Sequence, residues 1–240
     1  MPELLYQTRE IAVARDEFAS GRRFARTRIF LLSPANASGV KGQRLLAQNS
    51  ESEFVQRLRC SGLPLGEVYR YISSLYFRGK LDYARRFQNP PHGVAGVQVI
   101  TGAGLMLPET IVTQEDRRRI SAVAIDEKNL EYRNPLDRDL TRLRELVSRE
   151  TEVVLLGSVA TQKYIAPLRE VFGERVFYPK EFLGLGDMSR GGIMLRRCAV
   201  GAELEYQCVE QILKIQTQKQ VKRNAGAKKV KVNVVPVNAG

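Results

Sequence analysis

At 240 residues, with 43 % hydrophobic and 27 % charged positions, the chain is long enough for one sizeable domain with a real core. No apolar run approaches the roughly 18 residues that cross a bilayer, and MPELLYQTREIAVARDEF lacks the apolar centre of a secretory signal. The net charge is +12, and Cys60, Cys198 and Cys208 form no CxxC pair, which argues against a zinc site or a disulfide framework and for a cytoplasmic protein.

Residues 4–18 predict a helix, with Leu4, Ile11 and Phe18 recurring on one side and Gly21 as its stop. RIFLLSPA reads as a buried strand ended by proline. Asn36 to Gly42 is a small-residue loop carrying Lys41, and Ser50 with Glu53 has capping-box spacing for a helix through Leu58. Leu65 to Phe87 is the longest helical pattern, with Val68, Ile72, Leu75, Gly79 and Tyr83 on one side and Arg70, Arg78 and Arg85 on the other. Gly96 to Thr101 is a second strand, ending at Gly102-Ala103-Gly104. Asn134 and Pro135 suit the cap and first position of a helix to about Arg149. Glu152 to Gly157 is a third strand, Thr161 to Phe172 a helix stopped by Gly173, and Val176 to Tyr178 a fourth strand. Ile193 to Arg197 and Leu204 to Val209 read as an antiparallel hairpin.

Alternating strands and helices imply an α/β fold: one mostly parallel sheet flanked by helices, with an antiparallel hairpin at its edge. The expected organisation is an N-terminal helix and basic linker over 1–27, a core domain over 28–210, and a basic tail over 211–240. After Glu210 there is no acid, and Lys214, Lys219, Lys222, Arg223, Lys228, Lys229 and Lys231 supply seven of the twelve net charges. Such a block suits an arm for nucleic acid; a tail that only solubilises, or orders on a protein partner, is the alternative. No long amphipathic face or lipidation cysteine suits the tail to a membrane.

In an open α/β sheet, ligands bind beyond the carboxyl ends of the strands. Four segments fall there: Ser33 to Gly42, Thr101 to Leu105, Gly157 to Lys163 and Leu183 to Gly192. Glycine amides ahead of a helix make an anion site, so Ser33, Lys41, Gly102, Gly104, Ser158 and Lys163 are candidate phosphate contacts. The sharpest run is GLGDMSRGG. There Gly184 and Gly186 frame Asp187 and Ser189 as catalytic candidates and Arg190 as a ligand for phosphate or carboxylate. The plainer reading is a tight turn that Asp187 merely caps.

The familiar phosphate motifs are absent. SGVKGQRL has lysine and glycine in the wrong order, TGAGLML lacks the third glycine of GxGxxG, and GSVATQK places Ser158 five residues before Lys163, outside SxxK spacing. His92, the single histidine, lies in the turn-like NPPHG, so the common hydrolase routes through Ser-His-Asp or Cys-His are disfavoured and neither a cofactor nor a metal is implied. Arg70, Arg78 and Arg85, interleaved with Tyr69, Tyr71, Tyr76, Phe77 and Tyr83, form either a solvated face or a phosphate-tracking, base-stacking stripe.

The order of IFLLSPA, SLYFRGKLDYAR, VQVITGAGLMLPETIV, VVLLGSVATQKYIAPL and YPKEFLGLGDMSRGG resembles the bacterial YaaA-related, peroxide-stress protein-like α/β domain family. The likeness covers about residues 28–195 and matches at Ser33, Tyr76, Gly104, Pro108, Gly157, Tyr164, Leu183 and Gly186. It implies an α/β fold and an association with DNA, stress or defence, and it carries over no catalytic mechanism. DMSRGG and NASGVKG depart from that group. Three functions follow as expectations: a nucleic-acid-binding accessory protein using the tail and Arg70, Arg78 and Arg85; an enzyme of nucleotide or modified-base metabolism with its pocket at 183–192; or a subunit of a larger assembly.

Overall fold

The computed structural model of the chain describes residues 26–36, 39–47 and 52–211. The expected helix over 4–18 and the tail charges Lys222, Arg223, Lys228, Lys229 and Lys231 lie outside the described residues. Six strands form one sheet: β1 (Arg28–Leu32), β3 (Val97–Thr101), β4 (Gly104–Met106), β6 (Glu152–Leu156), β7 (Val176–Pro179) and β8 (Tyr206–Cys208). Their order is β4-β3-β1-β6-β7-β8. The inner four are parallel, with Leu32 opposite both Val99 and Leu156, and the two edges are antiparallel. Apolar residues fill the middle: Ile29 to Leu32 and Val153 to Leu156 are all fully buried, as strands covered on both faces must be.

Helix α4 (Tyr76–Phe87) packs on β1, β3 and α8 (Asp187–Val200), while α6 (Leu130–Leu146) packs on β3, β4 and α7 (Gln162–Phe172). The right-handed crossover rule sends α4, between β1 and β3, and α7, between β6 and β7, to opposite faces of the sheet, and packing places α8 beside α4 and α6 beside α7. Gly79 of α4 and Gly191 of α8 are the reason the first pair crosses so closely. A β-carbon at Gly79 would lie 2.8 Å from the Gly191 carbonyl oxygen, and one at Gly191 would lie 2.9 Å from the Tyr76 α-carbon.

A second, smaller layer comes from two insertions. Between β1 and α4 the chain forms α1 (Val40–Leu46), α2 (Glu53–Cys60), β2 (Leu63–Pro64) and α3 (Leu65–Ile72). After β4 it forms β5 (Ile111–Val112) and α5 (Gln114–Ala122), and β5 pairs with β2. Thr113 and Asp116 close a reciprocal capping box on α5, and the buried Gln114 side chain donates to the Leu45 carbonyl at 2.7 Å. These pieces make a cap over the carboxyl ends of β1 and β3.

Four local expectations are corrected. The 65–87 helix is two helices, broken at Ser73 (φ −127, ψ 77) and Ser74, where two adjacent serines are poor helix formers. Lys41 and Gly42 belong to α1 and not to a loop. Asn129, accepting from the Glu131 amide, caps α6 five residues before the expected start and leaves Pro135 inside the helix. The stretch expected as the first arm of a terminal hairpin is α8, with Gly191 and Met194 inward and Gly201 ending it in the left-handed conformation at φ 69. The edge hairpin is instead β3–β4, and β8 reaches the far edge alone.

Candidate functional site

The strand order reverses at β1, whose neighbours β3 and β6 are reached by crossovers in opposite directions, and a crevice opens there at the carboxyl ends. The cap roofs it. The result is a cleft of about 870 Å³, lined from below by Ser33, Gly102, Ser158 and Tyr164 and from the cap by Tyr69 and Arg117. Gly102 lets the cap come down, since a β-carbon there would lie 2.5 Å from the Ile120 carbonyl oxygen.

At the floor, Lys80 of α4 is fully buried. Its Nζ donates to the Ser33 carbonyl at 2.5 Å and lies 2.9 Å from Ser33 Oγ. The Tyr76 and Phe77 rings wall it in at 4.5 and 5.0 Å. Burial pulls its pKa from 10.5 down to about 7, against a smaller opposing pull from Asp187. Asp187 does not neutralise it: that carboxylate is 67 % exposed and pairs with Arg190 at 3.6 Å. The Tyr76 hydroxyl is buried without a hydrogen-bond partner, and burial pushes its pKa up to about 12 despite the nearby Arg190.

In the roof, Arg117 is 2 % exposed, and its Nε is buried with no hydrogen-bond partner. Its guanidinium lies 5.5 Å from the centre of the Tyr69 ring. Burial lowers its pKa, with only a small contrary effect from Tyr69 and none from a carboxylate. Two buried basic side chains thus face one cleft, neither in an ion pair among the described residues. Arg117 offers a planar fork that matches a phosphate or a carboxylate, and Lys80 offers a desolvated amine.

The fold brings together Ser33, Gly102, Ser158, Lys163 and Asp187 from all four segments named in the sequence. Others lie elsewhere. Lys41 is exposed on α1, 6.0 Å from the Tyr71 ring, and outside the cleft lining. Gly104, at φ 99, sits in the tight turn of the β3–β4 hairpin against Asp139, which accepts from the Leu105 amide. Gly184 and Gly186 precede α8 in open space and outside the cleft lining, and Gly191 serves helix crossing. Ser189 is exposed on α8 and does not line the cleft, whereas Arg190 is turned inward and donates to the Phe182 carbonyl at 3.2 Å. Among the described residues, no cluster of three histidines, cysteines or carboxylates is arranged to hold a metal, and no helix is long and apolar enough to cross a membrane.

The arginine stripe is interrupted. Arg70 is on α3 and pairs with Asp82, Arg85 pairs with Glu109 at 2.5 Å, and Arg78 is exposed on α4. At the opposite end of the sheet, Arg144, Arg149 and Arg175 surround a hollow of about 510 Å³ before β6 and β7. Arg175 donates to the Ser148 carbonyl at 2.8 Å; burial lowers its pKa, and repulsion from Arg144 and Arg149 lowers it further.

No protein-family model, curated protein or solved structure matches the chain.

Lys80 and Arg117 were missed as site residues, yet both leave a trace. Lys80 falls on the apolar stripe Tyr76, Lys80, Ala84 of α4, where a lysine is out of place. In QEDRRRIS, Arg118 and Arg119 each find an acid three residues back, at Glu115 and Asp116, but Arg117 finds Gln114.

Proposed function

We propose that the protein is an enzyme of nucleotide or modified-base metabolism, and that its ligand is a nucleotide or a phosphorylated small molecule bound in the cleft. The observation that carries this reading is the pair of buried basic side chains, Arg117 in the roof and Lys80 in the floor, with no carboxylate partner among the described residues. A buried charge with no partner costs stability, and an anionic ligand would remove that cost. Tyr69, Tyr76 and Tyr164 supply ring surface for a base between the two cations. The test is thermal stabilisation by a panel of nucleoside mono- and diphosphates, nucleosides and bases. A true ligand at a hundred times its Kd adds about 2.7 kcal/mol. Arg117→Met should abolish the response to phosphorylated members. A panel that leaves the melting temperature unmoved, or a response that survives in Arg117→Met, rejects this reading.

A specific observation also favours nucleic acid as a partner. Arg144, Arg149 and Arg175 converge without an acid among them, and the tail beyond Glu210 adds seven positive charges. Such surfaces recruit phosphate backbones with a steep dependence on salt. Binding of duplex, single-stranded DNA and RNA across a salt series, by the full chain and by residues 1–210, checks it. Binding that survives truncation with a reduced salt slope supports a site on the folded domain; loss of all binding confines it to the tail.

A further inference from the structure

We propose that Ser33 is a nucleophile and Lys80 its general base, so that the cleft carries out acyl transfer on a carboxylic ester or amide. This deepens the enzyme reading above, and depends on it only for the claim that the substrate's anionic end is held by Arg117.

The geometry supports each role. Ser33 stands at the carboxyl end of the central strand, 5 % exposed, and lines the cleft that any substrate must enter. Lys80 sits behind it, out of contact with solvent, 2.9 Å from Oγ. At rest Lys80 Nζ donates to both the Ser33 carbonyl and Oγ, and the Ser33 hydroxyl donates to the Leu156 carbonyl at 3.4 Å. To act as base, the neutral amine keeps its bond to the carbonyl and turns its lone pair to the hydroxyl proton. The apolar walls of Tyr76 and Phe77 keep water from competing for that lone pair. Gly157 flanks the hydroxyl: a β-carbon there would press to 3.2 Å from Oγ. No side chain caps the first turn of α7, which begins at Gln162 after the loop Ser158 to Thr161. The dyad joins residues 47 positions apart, so no local motif reveals it.

In the first step, Ser33 Oγ bonds to the carbonyl carbon and its proton passes to Lys80 Nζ. The tetrahedral adduct collapses, the bond to the leaving alcohol or amine breaks, and Lys80 returns the proton to that group. Water then adds to the acyl-serine, gives its proton to Lys80, and the carboxylic acid departs as the proton returns to Ser33. No oxidant, metal or further reactant enters.

The experiment uses the full chain with a fluorophosphonate probe and with p-nitrophenyl acetate, followed by peptide mass mapping. One adduct, on Ser33, is expected. It should be absent in Ser33→Ala and form at least about 100-fold more slowly in Lys80→Met, the lower range of a general base's contribution. In the unaltered protein the labelling rate should rise through about pH 7 and level off, a readout that needs no variant to fold. Labelling should persist in Arg117→Met, so this idea and the nucleotide reading can fail separately. No adduct on Ser33, a rate without the rise near pH 7, or a folded Lys80→Met that labels at the normal rate overturns the proposal. Borohydride trapping of a carbonyl compound on Lys80 also overturns it, by making the lysine the nucleophile.

Discussion

The two ends of the sheet bury cations in opposite ways. At the amino end, Arg28 has a side chain only 16 % exposed, but it is met by Glu152 at 2.7 Å and by Glu203, while its guanidinium covers the Tyr206 ring. Burial works against its charge, and the two carboxylates outweigh burial and hold its pKa above the ordinary value. At the carboxyl end, Lys80 and Arg117 are buried more deeply and have no acid to pair with among the described residues; their pKa values are lowered. Among the described residues, the chain supplies two acids to Arg28 and none to these. A buried charge that serves the fold is compensated within the fold. One that is left uncompensated beside a cleft of about 870 Å³ is, on the function proposed above, compensated by what enters it.

The largest test of this contrast is at the paired end. Glu152→Ala leaves Arg28 buried with only the half-exposed Glu203. Removing one partner of a buried pair costs about 3–5 kcal/mol. The urea midpoint should therefore fall steeply without a change in m-value. A loss under about 1 kcal/mol would mean that the amino end is not held by this pair, and the contrast between the ends would collapse.

At the open end the sign reverses. Arg117→Met and Lys80→Met each remove a charge the fold does not compensate, so stability should stay level or rise by about 1–2 kcal/mol while ligand response or labelling is lost. Lys80→Met also has a pH signature. The unfolded lysine titrates near 10.5 and the folded one near 7. Between those values the unfolded chain holds a proton that the folded chain does not, so the stability of the unaltered protein rises with pH, by at most about 1.4 kcal/mol per unit. Over that range the linkage amounts to as much as about 5 kcal/mol, more than the advantage of about 1–2 kcal/mol, so Lys80→Met should be the more stable form below about pH 7 and the less stable one as pH approaches 10.5. An advantage independent of pH would show that Lys80 stays charged in the fold.

The architecture was legible because its signals are local. RIFLL, VQVIT and EVVLL are short apolar runs, and parallel strands buried on both faces have no other way to read. What failed did so where tertiary contacts overrode the local pattern. The segment IMLRR looks extended alone, but the Gly191–Gly79 crossing and the Gly201 stop make it helical. Tyr132 continues the stripe Leu136, Leu140, Leu143 backwards, so α6 starts at Leu130 in spite of Pro135. The site was half legible. Topology alone placed Ser33, Gly102, Ser158, Lys163 and Asp187 at one end of the sheet. Lys80 and Arg117 could not be seen as unpaired among the described residues until the acids of those residues were placed, because a missing partner is a property of tertiary structure and not of local sequence.

The smallest effects belong to the surface, where the contrast between paired and unpaired cations is sharpest for nucleic acid. Arg70 and Arg85 already have carboxylates in Asp82 and Glu109; Arg144 and Arg149 have no ion pair among the described residues. Exposed pairs contribute about 0–1 kcal/mol, so Arg70→Gln with Arg85→Gln should barely move stability. Each phosphate contact removed lowers the slope of log affinity against log salt by about 0.9. Replacing Arg144, Arg149 and Arg175 by serine should flatten that slope by up to about 3. The Arg70 and Arg85 pair should change it by less than one contact, because a phosphate would first have to displace an acid. The reverse ranking would move the nucleic-acid surface to α3 and α4 and leave the hollow beside β6 and β7 without a role.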